Sequence, residues 1–135
     1  MKNKSLVEDY LTRAGHRLEA LAVLMQRQSY ADVVREAQEI VELSLKALLR
    51  HAHIEVPRIH DVGDILREER EKLPEELGPQ VERLAQVSRS LRRDRELAFY
   101  GAEDLTPSEF YRQEDAAQAL EDAKWVHSVC KNAIR

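Results

Sequence analysis

The segment that most constrains the fold is 29–49. Val33, Val34, Ala37, Ile40, Val41, Ser44, Leu45, Leu48 and Leu49 recur there at three- and four-residue intervals. On a helix of 3.6 residues per turn they cover one broad side. A helix with so wide an apolar face needs several neighbours to cover it, which places it at the centre of a bundle. Ser29 followed by Asp32 has the form of a capping box and marks its start.

The rest of the chain supplies the neighbours. Leu6, Tyr10, Leu11, Ala14, Leu18, Leu21, Ala22 and Met25 predict a first helix from about Ser5 to Gln26. Gly15 lies inside it at a cost of roughly 1 kcal/mol against alanine, which a close helix–helix contact would offset. Pro57 ends any helix before it. A short helix then follows His60-Asp61, with Asp61 as its cap and Val62, Ile65 and Leu66 as its buried side. The mixed charges from Arg67 to Glu76 read as a solvated helix end and loop. Pro79 suits the first turn of a helix carrying Leu84, Val87, Leu91 and Ala98, and Gly101 suits its end. Thr106-Pro107-Ser108-Glu109 is another start signal. The last helix runs from about Gln113 to Ala133, on a stripe of Ala116, Ala119, Leu120, Ala123, Val126, Cys130 and Ala133. Only four glycines and four prolines occur in 135 residues, with no strand alternation and no repeat. The expectation is all-α: one domain over 1–135, an antiparallel up-and-down bundle of four long helices plus one short one.

Hydrophobic residues make up 43% and charged residues 34%, the balance of a globular chain rather than a disordered one. A net charge of −4 argues against coating nucleic acid by bulk charge and leaves room for a local basic patch. The single cysteine, Cys130, excludes an internal disulfide and a cysteine-rich zinc site. Met-Lys-Asn-Lys-Ser is followed by no unbroken apolar run, so neither a signal peptide nor a membrane span is expected, and the cytoplasm is the expected address. No cofactor and no metal site are expected.

The basic patch is Ser88–Gly101. Arg89, Arg93 and Glu96 fall on its wet side, and Arg95 sits at the edge of the apolar stripe, one turn before Phe99. A partly buried arginine calls for a carboxylate or a phosphate, so Arg95 is either a phosphate contact or a salt-bridge partner. Arg89, Arg92 and Arg95 are the candidate phosphate- or nucleotide-binding residues. Arg92 and Glu96 are also spaced to pair with each other. Tyr100 either stacks on a base or sugar or packs at the helix end. His51 and His53 are a poor metal pair, and contact with a helix carboxyl end accounts for them. His127 and Cys130 share a face, but two ligands do not make a zinc site, and core packing explains them better. His60 suits closing its loop by hydrogen bonding better than chemistry. Trp125 belongs to the core or to a dimer interface.

Ala37-Gln38 through Glu42, then Leu45-Lys46-Ala47-Leu48-Leu49, Pro57 and His60-Asp61-Val62, resembles the HEPN family. Arg-Glu-Leu-Ala-Phe-Tyr-Gly at 95–101 falls where that family keeps its functional motif, and Tyr111, Asp115-Ala116, Ala119-Leu120 and Ala123 fit its last helix. The resemblance implies a helical bundle, commonly a homodimer that pairs the motif regions. It also implies either a metal-independent ribonuclease, often a toxin, or a partner of a minimal nucleotidyltransferase. In ribonuclease members the motif runs from arginine and a polar residue to a histidine. Arg95 and Glu96 match the first two, whereas Phe99 or Tyr100 stands in the histidine's place, and no histidine occurs between His60 and His127. Histidine titrates near neutrality, while an unshifted tyrosine near 10 is no base. The expected role is therefore a nucleotide- or RNA-binding accessory of a nucleotidyltransferase in a toxin–antitoxin-type pair. The alternatives are a ribonuclease using Arg95, Glu96 and Tyr100 as catalytic residues, and a non-catalytic interaction module.

Overall fold

Each long apolar stripe becomes a helix. The computed structural model describes residues 2–56, 62–101 and 106–134, and of residues 93–99 the backbone alone. Among these, α1 spans Lys2–Gln26, α2 Tyr30–His51, α3 Val62–Glu68, α4 Val81–Tyr100, α5 Pro107–Phe110 and α6 Gln113–Ala133. Two 3₁₀ segments, Arg70–Lys72 and Glu75–Gln80, lead into α4. Four helices are long, as the stripes require, and no strand forms among the described residues.

α2 is the axis, packed against α1, α4 and α6. Its buried residues include every apolar position of the central stripe. Ser44, buried among them, donates its hydroxyl proton to the Ile40 carbonyl (2.8 Å) and so leaves no orphan donor. Three contacts fix the helix directions. Asn3 Nδ2 donates to the Arg50 carbonyl (2.9 Å), which sets α1 antiparallel to α2. His127 Nε2 lies 3.1 Å from the Leu11 carbonyl, bringing the late turns of α6 to the early turns of α1. The Arg83 guanidinium covers the Trp125 ring at 3.9 Å, so α4 begins where α6 is ending. The bundle therefore runs up, down, up, down. On α6 the buried side is Ala116, Ala119, Ala123, Val126, Cys130 and Ala133, small residues that let it lie close to α2.

The turns hold what sequence did not reveal. α1 and α2 both end in six-residue closures around a left-handed residue: Gln28 at φ 59° and His53 at φ 58°. In each, two amides return to the last turn, Ser29 to Leu24 and Gln28 to Met25, then Ile54 to Leu49 and His53 to Arg50. This is the Schellman arrangement, normally occupied by glycine, and an L-residue there costs about 1–2 kcal/mol. The capping box at Ser29 does not close, because Ser29 Oγ donates instead to Asp32 Oδ2 (2.6 Å). Gly101, at φ 81°, ends α4 as its residue type suggested.

The run from Arg67 to Glu76 is less solvated than its charges imply. Leu73 is buried within it and Leu77 just beyond it. Arg67 forks onto Glu82 (2.8 and 3.2 Å) and also reaches Asp64 (3.3 Å), tying α3 to the start of α4. The hydrogen bond from Arg67 holds the Glu82 carboxyl below its ordinary value. A lowered folded value means that this contribution is present above the unfolded value and lost as pH falls through the folded one. Thr106 caps α5 by accepting from the Glu109 amide (3.3 Å), but that helix is one turn long, and Asp115 accepting from the Arg112 amide (2.9 Å) opens α6 separately.

Two expectations follow. A Cβ added at Gly15 would meet only the His127 ring, at 3.7 Å, an ordinary contact. Gly15→Ala should therefore raise stability by about 0.5–1 kcal/mol in a denaturant titration, since no close approach demands glycine there. Cys130 is fully buried, and burial alone pushes its thiol up to about 12. Iodoacetamide at about pH 8 should leave it unmodified by mass spectrometry in the folded protein and alkylate it once the chain is unfolded.

Candidate functional site

α4 is built on a row of inward residues, Val81, Leu84, Ala85, Val87, Ser88 and Leu91, all buried against the core. Arg89 and Arg92 stand on the exposed side, three residues apart and hence neighbours on one face. The side chains of Arg95, Glu96 and Phe99 lie outside the described residues. At the end of the helix Tyr100 is 72% exposed. Phe110 on α5, which packs against α4, is 45% exposed and meets Tyr111 edge to face (4.9 Å). On α2, Gln38 donates to Glu42 (3.2 Å), and its buried Oε1 has no hydrogen-bond partner.

A sequence model of the HEPN domain matches residues 7–133. The chain belongs to the HEPN domain family. Its fold is that of the crystal structure of ST0689, an archaeal HEPN homologue, with a TM-score of 0.70 at 22% identity over 96% of this chain and 98% of that one. No curated protein matches the sequence.

Within this HEPN bundle the described histidines stand apart from the α4 motif segment. α4 starts beside Trp125 and rises about 1.5 Å per residue, so Tyr100 lies roughly 25 Å beyond Arg83, toward the other pole. His16, His51, His53 and His127 all line one cleft at the pole where α1 begins and where α2 and α6 end. His127 is anchored there on the Leu11 carbonyl rather than paired with Cys130, which is core. His60 and Asp61 lie outside the described residues. Trp125 is half-buried under Arg83, a cation–π contact. No group of three or more metal-ligating side chains forms among the described residues, and none of their helices is long and apolar enough to cross a membrane.

Proposed function

We propose that this HEPN protein is a homodimeric accessory subunit of a minimal nucleotidyltransferase in a toxin–antitoxin-type pair. It acts as a single cytoplasmic domain over 1–135 and holds nucleotide or RNA phosphate on the arginine side of α4 without cutting the chain. One observation carries the reading: exposed Arg89 and Arg92 run toward exposed Tyr100, while the described histidines collect at the opposite pole. Arginines supply forked donors for phosphate, and an exposed tyrosine supplies a stacking surface for a base or sugar. Arg95, at the motif's arginine position, adds a third phosphate contact. Metal-free cleavage also needs a proton carrier near neutrality, and Tyr100 would serve as one only with a large shift.

The second reading is a ribonuclease in which Arg95 and Glu96 act on the phosphate and Tyr100 replaces histidine. Its support is the exposure of Tyr100 beside the motif. Incubating labelled RNA without metal, wild type beside Arg95→Ala, separates the readings. The expected result is a retarded, intact RNA that Arg95→Ala binds about tenfold more weakly. Cleavage by wild type that Arg95→Ala abolishes would establish the ribonuclease. RNA and nucleotide left unbound by wild type would leave an interaction module.

A further inference from the structure

The cleft at the far pole has a volume of about 830 Å³, within the range of small-molecule sites. Val7 and Leu11 of α1 and Ile134 beyond α6 give it apolar walls. Lys4 and Lys131 line it together with Glu8 and Glu19, so its full charges balance and select no ligand charge. Gly15 is part of the same wall, at a cost to α1 of about 1 kcal/mol against alanine. Packing does not account for it, since an added Cβ would meet only the His127 ring, at an ordinary 3.7 Å from Cε1 and Nε2. What glycine does there is leave a strip of helix backbone bare beside an imidazole, an arrangement that lets a ligand approach the main chain closely.

The ring beside that strip is held in one orientation. His127 Nε2 lies 3.1 Å from the Leu11 carbonyl, and a carbonyl oxygen only accepts, so Nε2 carries the proton. In the neutral imidazole Nδ1 is then an acceptor. It has no hydrogen-bond partner among the described residues and is not sealed from solvent. We infer that this cleft binds a small uncharged aromatic molecule that lies against Gly15 and donates one N–H or O–H to His127 Nδ1. The apolar walls and the bare strip suit a planar body, and the fixed ring sets the one polarity that the ligand must match. This inference does not depend on the reading of α4.

The test is a chemical-shift titration of the isotope-labelled full chain with indole, beside N-methylindole, the same ring system with its donor capped. It is run at about pH 8, above the ordinary range of imidazole. The expected result is one saturable site for indole, with the shifts centred on the cleft, and N-methylindole about fivefold weaker, the share of one neutral hydrogen bond. His127→Phe keeps a ring and removes the acceptor, so it should bind the two probes equally. Gly15→Ala should weaken indole about tenfold while raising the melting temperature, which separates a binding role from a structural one. Val23→Ala, at an exposed position of the same helix, should bind both probes as wild type does. Equal affinity of wild type for the two probes, unsaturable shifts, shifts centred away from the cleft, or a Gly15→Ala chain that binds indole as wild type does would each overturn the inference.

Discussion

Replacing Arg89 and Arg92 together by glutamate is expected to weaken RNA binding by about 100-fold, with the fold intact. Both side chains are exposed and three residues apart, on the side of α4 away from α2. A charge-assisted contact to phosphate contributes about 1.5–3 kcal/mol, and 1.4 kcal/mol is tenfold in affinity, so losing two contacts reaches 100-fold on the low side. Salt supplies a second reading of the same variant. Each phosphate neutralised on a single strand contributes about 0.7 to the slope of log affinity against log salt, so the double variant should lose about 1.4 from that slope. Anisotropy of a labelled single-stranded RNA across a salt series measures both. The exposed positions bury nothing, so the thermal midpoint should hold, surface changes of this kind staying within about 0.5 kcal/mol. An unchanged affinity, or a weakened one with an unchanged slope, would remove α4 as the phosphate surface.

The bundle was legible because its signal is repeated. Val33 to Leu49 gives several concordant readings of one helix face, and Ala116 to Ala133 gives several of another, so no single residue has to be read correctly. The last helix begins and ends at the residues its stripe suggested. What escaped was carried by single residues against type. Gln28 and His53 take the backbone conformation that glycine advertises, and nothing in their neighbours signals it. Ser29 and Asp32 satisfy a pattern but bond to each other, because two short polar side chains can reach one another as readily as the helix amides. Thr106 does cap a helix, yet one of a single turn, since the extended backbone at Tyr111 and Arg112 breaks it before α6. The arginines of Ser88–Gly101 are read locally, their charges lying within 14 residues of sequence, and the structure describes Arg89 and Arg92 among them as exposed. The histidine cleft was not: its walls come from the two ends of the chain and the end of α2, and only the up-and-down path brings residues 16, 53 and 127 together.

The same path makes α2 the point of greatest sensitivity, and Leu45→Ala should cost about 3 kcal/mol. Leu45 is fully buried in the helix that α1, α4 and α6 all cover. Truncation removes the transfer free energy of three carbons and leaves a cavity whose walls belong to several helices. A site on a single edge helix can relax toward solvent, but one enclosed by packed helices has no free wall to move. Leucine-to-alanine changes in such cores cost about 2–5 kcal/mol, against a total stability of about 5–15 kcal/mol for a small protein. The corresponding fall in melting temperature is about 10 °C. Val23→Ala provides the contrast on α1, where the side chain is 56% exposed and the change should stay within about 0.5 kcal/mol. Calorimetric or dichroism melts of the two variants beside wild type measure the difference directly. A Leu45→Ala chain that melts with wild type would mean that α2 is not the shared core, and the burial at Ile40, Val41, Leu48 and Leu49 would lose its energetic reading with it.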